Sequence, residues 1–387
     1  MKPGYKLTAA GLIPEDWDIE SLGNTTVITT GRKDVNEGNP LGEYPFYTCS
    51  RVHTFSDSYS FNTEAILIAG NGEVGNLHYH KGKFEAYQRT YVVHKFTLPA
   101  RYIWHQLDYR LAASLGLGKI GTSIPYIKKE NLTELYFPTP KNEPEQQAIV
   151  ATLSDMDGLL EGLNRLIEKK RSIKQATMQQ LLTGKFRLPG FSGRWETKQV
   201  ASFTNCVAGG TPSTLVRSYW GGSIKWMSSG DLHLKKVKDV TGRITQAGLD
   251  NSAATVLPRQ CILIGLAGQG KTRGTVAINL TELSTNQSIG AILPSDIFVP
   301  DYLFHNLDSR YTELRELSSG GGRGGLNLKL LGGLGIPLPS IPEQTAIACV
   351  LSDMDAEISA LEACRDKTRA LKQGMMQELL TGKTRLI

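Results

Sequence analysis

The sequence predicts a mixed α/β (α+β) fold built twice, in which two variable α/β domains are joined and spaced by two long antiparallel helices. Three observations predict it. Residues 144–188 and 342–386 form an internal repeat at a constant offset of 198, without a gap and with 24 of 45 positions identical. Each copy carries an apolar stripe at three-four spacing, the pattern of a coiled-coil seam. Ahead of each copy lies a stretch rich in Gly, Ser, Thr and aromatics, with strand-like runs such as "AILIAG", "TYVVHKF" and "GAILP".

Taken in chain order, residues 1–16 complete the repeat. Trp17 and Trp195 open the variable domains, 17–142 and 195–341. Each domain also holds a candidate helical segment, "PARYIWHQLDYRLAASLG" and "VPDYLFHNLDSRYTELREL". The helical repeats follow, 143–194 with its linker and 342–387. Pro144 and Pro342 suit a first helical turn, and Glu145 and Glu343 favour its positive dipole end. Gly184 and Gly382 are stop signals. The seam positions are Leu153, Met156, Leu160, Leu163 and Ile167, repeated as Leu351, Met354, Ile358 and Leu361. Seams this long call for a partner helix, and two matching halves related by a pseudo-dyad make the pair antiparallel.

Composition narrows the function classes. At 387 residues the chain is long enough for two or three cores. A net charge of +6 permits an acidic partner such as nucleic acid without demanding one. Five scattered cysteines with no C-x-x-C pair argue against a disulfide scaffold or zinc site and suit a reducing cytoplasm. The first residues lack the apolar core of a signal peptide, and no run approaches 18 apolar residues, so no membrane span is expected.

Two glycine loops suggest nucleotide chemistry. "GLAGQGKT", residues 265–272, fits the phosphate-loop pattern G-x-x-x-x-G-K-[ST], and Gly70, Gly72 and Gly75 have dinucleotide-turn spacing. Both motifs work only when a helix N-terminus follows, whereas "TVAINLTEL" and "NLHYHKGKFEAYQRTYVV" read as strands. The loops also align with one another, Ala69, Gly70 and Gly72 falling 198 residues before Ala267, Gly268 and Gly270, and Gln88 falling 199 before Gln287. One backbone turn used twice is the better reading. His78 and His80 lack further ligands at metal spacing and read as solvent- or DNA-facing. Asp155, Asp157, Asp353 and Asp355 read as surface electrostatics or partner contacts. No catalytic residue, cofactor site or metal site is expected.

The repeated blocks "PEQ", "LSDMD", "KQ" and "LLTGK-x-RL", each preceded by P-x-P, resemble the specificity subunits of Type I restriction–modification systems over nearly the whole chain. "GYKLTAAGLIPEDW" and "GGTPSTLVRSYWGGSIKWMSSGDL" are similar to openings of that family's target recognition domains. The resemblance implies a noncatalytic DNA-reading subunit. Its two target recognition domains would each read half of a bipartite double-stranded target. Its helices would set the spacer and bind two methyltransferase subunits, and endonuclease/translocase subunits would join through the complex. S-adenosylmethionine, ATP and Mg would then belong to the partner subunits. No N-P-P-[YF] or D-P-P-[YF] methyltransferase motif is present.

DNA contact calls for phosphate donors and bidentate base-reading groups. The first domain offers Arg32, Lys33, Arg51, Asn71, Lys81, Lys83, Gln88 and Arg89. The second offers Thr211, Arg217, Lys225, Ser229, Gln269, Lys271, Arg273, Asn286, Gln287 and Arg323. Two alternatives stand beside this reading. One is an NTP-hydrolysing enzyme using Gly265–Thr272, and the other is a coiled-coil scaffold without sequence specificity.

Overall fold

A computed structural model describes residues 3–8, 11–117, 126–268, 270–317 and 325–386. The chain divides into two compact units, 1–165 with 362–387, and 166–361. Each long helix, Glu143–Leu181 and Ile341–Leu379, contributes one part to each unit. Both have 39 residues, about 58 Å at ~1.5 Å per residue. Past their ends Gly184 and Gly382 adopt φ of +70° and +71°, which glycine reaches without strain.

The first unit is built on a six-stranded sheet in the order Val27–Thr30, Thr90–His94, Phe61–Ala69, Leu77–Ala86, Tyr44–Tyr47, Thr54–Ser56. Alternation along "AILI" sends Ile66 and Ile68 to one face, with Val93, where they pack on Tyr102, Ile103 and Leu107 of the helix Ala100–Ser114. Ala65 and Leu67 face the other way, onto Tyr47, Phe84 and Ala86. The second unit repeats this plan. Its five strands run Cys206–Ala208, Ile289–Ile292, Ile262–Gly265, Val276–Asn279, Lys236–Val237. Ile262 and Ile264 pack on Tyr302 and Leu303 of the helix Pro300–Asp308, while Leu263 and Ala277 join Met227 and Val237. The segment expected to be helical between 299 and 317 is two helices, Pro300–Asp308 and Tyr311–Glu316, broken at Ser309 and Arg310.

Each unit ends its core on an antiparallel pair of helix segments. In the first unit Ile149 and Leu153 pack with Met376, Leu379 and Leu380, so the start of one helix meets the end of the other. In the second unit Ile347 and Leu351 pack with Met178 and Leu181. Of the seam positions, Leu153, Leu163, Ile167, Leu351 and Ile358 are buried, and Met156, Leu160, Met354 and Leu361 are half-buried. The stripe therefore serves two partners, since Leu153 also shares a core with Tyr102 and Leu107.

Polar groups pin the pair with the same pattern in both units. Arg385 bridges Glu145 at 2.6 Å and Asp16 at 2.8 Å, and Arg187 bridges Glu343 in the equivalent place. Glu145 and Glu343 are only 1% and 2% exposed, so each is matched by a bidentate guanidinium rather than by water. Lys372 lies 2.8 Å from Asp108 and 2.7 Å from Asp157, and Lys174 pairs with Asp355. This corrects the expectation for Asp157 and Asp355, which serve internal packing, whereas Asp155 and Asp353 are exposed. Tyr102 and Tyr302 donate to the carbonyls of Pro138 and Pro337, fixing the P-x-P strands against the domain helices.

His105 and His305 sit beside these ion pairs, fully buried, their Nε2 atoms 3.4 and 3.2 Å from Ser154 and Ser352. Burial pushes both down to about 4: for His105 Lys372 adds to this against the pull of Asp157 and Asp108, and for His305 Lys174 and Lys236 add to it against Asp355 and Asp301. The aspartates at 3.9 Å therefore face neutral rings. A ring neutral in the folded chain but protonated when unfolded favours unfolding as acid is added. Stability held above about pH 6.5 is thus lost as pH falls toward 4. Thermal unfolding between pH 7 and 5 should show this slope. His105→Gln with His305→Gln should reduce it, leaving the part that burial of His53, His80 and His94 supplies, and an unchanged slope would show that His105 and His305 do not report folding.

Candidate nucleic-acid interface

The glycine loops are hairpin tips. Ile262–Gly265 and Val276–Asn279 pair antiparallel, Gly265 N donates to Thr275 O at 3.0 Å, and Gly274 N donates to Gly265 O at 2.9 Å. These amides are committed to the hairpin, and a buried strand follows where a phosphate loop needs a helix. Gly265–Thr272 is therefore no phosphate loop. The first loop behaves alike: Gly75 N donates to Ala69 O, and the strand Leu77–Ala86 follows.

The register between the loops differs from the sequence alignment. Gly70 N donates to Arg89 O and Gly70 O accepts from Ile127 N; Leu266 N donates to Ser288 O and Leu266 O accepts from Leu326 N. Arg89 and Ser288, like Ile127 and Leu326, are 199 apart, so Gly70 matches Leu266, an offset of 196 rather than 198. Glycines free of side-chain packing left the alignment by identity nothing to hold it in register.

In the first unit Asn71, Gln88 and Arg89 come together around one cavity. Gln88 Nε2 donates to Asp34 at 3.1 Å, while Arg89 and Arg32 are exposed. Arg51 is exposed and paired with Glu73 at 2.8 Å. Lys33 is committed inward, donating to Ser56 and Ser58 and lying 3.8 Å from the fully buried Glu85. Lys81 and Lys83 are exposed on either side of Gly82, and the Lys83 ammonium sits over the Tyr59 ring at 4.7 Å.

In the second unit Thr211 donates to Gln287, and Asn286 adjoins them, its N–H bonded to Met227 O. Trp226 closes this group, with Nε1 on Gly210 O at 2.9 Å and Trp220 edge-on at 5.0 Å. The two tryptophans thus join the candidate group, and their interleaving with Lys225 in "YWGGSIKW" is a signal visible in the sequence. Lys225 is held by Thr281 at 3.0 Å and Asp239 at 3.4 Å. Arg217 is exposed on a short helical turn, and Ser229 is half-buried on another. Lys271 is exposed on the hairpin tip, whose backbone is gripped by Tyr311 (OH to Lys271 O, 3.0 Å) and Arg315 (to Gly270 O, 2.7 Å). Arg273 is half-buried on the same turn. Gln269 and Arg323 lie outside the described residues.

The histidine pair is not turned outward. His80 Nδ1 lies 3.0 Å from Tyr47 OH, and His78 Nε2 lies 2.9 Å from Asn76 and 3.1 Å from Ser50 O. With His53 they pack around the Tyr47 ring. Burial holds His53 and His80 below the ordinary histidine value, so they stay neutral at pH 7. No cluster of three or more metal-ligating side chains occurs among the described residues. No helix among them is long and apolar enough to cross a membrane.

Two similar α/β halves, each presenting a hairpin tip beside amide and cationic side chains and each docked on paired helix segments, define an internally duplicated protein with one candidate interface in each half. The chain belongs to the Type I restriction modification DNA specificity domain family, whose model matches residues 14–169 and 193–370. It is 32% identical over 176 residues to the Type I restriction enzyme EcoDI specificity subunit of Escherichia coli, covering 45% of this chain and 39% of that protein. It is 31% identical over 166 residues to the MjaIX specificity subunit of Methanocaldococcus jannaschii, covering 42% and 38%. These two alignments thus span well under half of either relative. The MjaVIII specificity subunit of the same organism aligns over 97% of this chain and 94% of its own length at 24% identity. In fold, the chain matches the crystal structure of a Type-I restriction-modification system S subunit from M. genitalium. That match has a TM-score of 0.66 at 18% identity and covers 98% of this chain and 99% of the other.

Proposed function

We propose that this chain is the DNA sequence-specificity subunit of a Type I restriction–modification complex. Residues 17–142 and 195–341 act as target recognition domains, each reading one half of a bipartite duplex target in the cytoplasm. The helical repeats, 143–194 and 342–387, set the unread spacer and carry two methyltransferase subunits, through which the endonuclease/translocase subunits join. The chain itself performs no catalysis; S-adenosylmethionine, ATP and Mg act on its partners. The observation that carries this reading is the family match to both halves of a duplicated fold. The buried strand Val276–Asn279 supports it further, because it stands where a phosphate loop needs a helix. A scaffold without specificity is separated by experiment. The chain, purified with its methyltransferase partner, should methylate a bipartite motif with a fixed gap, read by sequencing modified DNA; unselective methylation would refute the reading.

Lys271 supplies a narrower test. Its exposed position on a backbone-gripped turn suits a phosphate contact. Lys271→Ala should weaken DNA binding evenly across sequences and lower the salt-dependence slope by about one. An unchanged slope would mean that Lys271 makes no such contact.

A further inference from the structure

The two units differ at one place that matters for reading a base pair. In the first unit a cavity of about 400 Å³ opens at the hairpin tip, lined by Gly70, Asn71, Gln88, Arg89, Tyr91 and Tyr126. Gly70 makes the room: a Cβ there would lie 2.5 Å from Arg89 O and 3.1 Å from the Tyr91 ring. Tyr91 is anchored by its hydroxyl on Ile127 O at 2.8 Å, and Tyr126 is bridged through its backbone to Asn71. The wall is therefore aromatic, with the Tyr91 ring anchored and the Tyr126 ring exposed.

The second unit reverses this packing. Leu266 stands where Gly70 does and is buried, while Gly290, partner of Ile264 in the neighbouring strand, lies beneath it: a Cβ on Gly290 would meet Leu266 Cδ2 at 3.0 Å. In the hydrogen-bonding register Ala267 replaces Asn71 and Gly325 replaces Tyr126. At these two positions the second unit therefore has neither the amide nor the tyrosine.

Chemistry then selects the occupant. Asn71 is half-buried, lines the cavity, and its amide makes no hydrogen bond among the described residues. An amide offers a donor and an acceptor side by side, and in the major groove adenine alone presents the matching N7 acceptor and N6 donor together. Gln88 gives its nitrogen to the Asp34 carboxylate, which can only accept, and so leaves the adenine edge to Asn71. The tyrosine faces suit the thymine methyl group. Arg89, exposed at the rim, suits the phosphate.

We propose that this cavity reads one A·T pair of the first half-site, with Asn71 on the adenine edge and the Tyr91–Tyr126 wall against the thymine methyl. The inference rests on the proposed DNA-reading function and names the base pair that this one site selects.

The test uses the chain in complex with its methyltransferase partner and DNA carrying its own methylated motif. At each A·T pair in turn, adenine is replaced by 7-deazaadenine or thymine by uracil. One pair in the first half-site should respond to both changes by roughly 5- to 150-fold in binding. Asn71→Ala should lose a similar factor on ordinary DNA and then show no further loss with 7-deazaadenine at that pair. Discrimination in the second half-site should stay intact. The inference is overturned if no A·T pair of the first half-site couples to Asn71, or if the loss is spread over both half-sites. A wild-type complex with no sequence preference would instead sink the proposed function, and this inference with it.

Discussion

Replacing Arg385 by alanine is expected to destabilise the first unit by about 3–5 kcal/mol, the range for stripping one partner from a buried ion pair. The size follows from Glu145, which is 1% exposed and takes both its charge-assisted hydrogen bonds from the Arg385 guanidinium. Without Arg385 that carboxylate is left in the core with neither water nor a counter-charge. Asp16 loses the same partner but is exposed, so its share is small. Glu145→Gln added to Arg385→Ala should recover part of the loss by removing the stranded charge. Lys141→Ala, which breaks a pair exposed on both sides with Asp18, should change stability by no more than ~0.5 kcal/mol. Denaturant unfolding followed by local amide exchange measures all three. A loss from Arg385→Ala no larger than that from Lys141→Ala would mean that Glu145 is reached by water.

The second large effect concerns specificity. Exchanging residues 195–341 for the matching segment of another family member should replace one half-site completely and leave the other unchanged. The second unit encloses this segment in cores of its own, with Ile262 and Ile264 on one face of the sheet and Leu263 and Ala277 on the other. Base contacts made there are local. Each mismatched pair costs ~1–3 kcal/mol, roughly additively, so three changed pairs shift preference by about 150-fold at the least. Sequencing of methylated sites reads the outcome directly. A change in both half-sites would show that the two domains do not read independently.

The architecture could be read from the chain because duplication doubles every signal. The seam from Leu153 to Ile167 gains weight from its copy at Leu351–Leu361, and Gly184 and Gly382 mark equivalent helix ends. The strand after Gly274 could be read from alternation in "TVAIN". What stayed hidden depends on contacts between residues far apart in sequence. Glu145 with Arg385 and Asp108 with Lys372 span most of the chain, and no local pattern marks them. Asp157 and Asp355 read as surface or partner-contact carboxylates in the sequence; only the fold shows the lysine facing each. The candidate interface divides in the same way. Arg89 and Lys271 are free to reach outward, whereas Lys33 and Lys225 are held by Glu85 and Asp239, partners supplied by folding. The loop register slipped because glycine-rich turns match by composition, while Arg89, Ser288, Ile127 and Leu326 fix it through backbone bonds.

The division of the long helices between the units has a consequence for synthesis. The second unit is a continuous stretch, 166–361, and holds its own ion pairs from Arg187 to Glu343 and from Lys174 to Asp355. The first unit needs Lys372, Met376, Leu379 and Arg385, which the ribosome delivers after every residue of the second. Until then Ile149 and Leu153 lack Met376, Leu379 and Leu380, although the sheet and the helix Ala100–Ser114 are long since made. The domain translated first is thus completed last. A chain released after residue 361 would hold a complete second half and an incomplete first, a state in which protease should cut the earlier-made half preferentially.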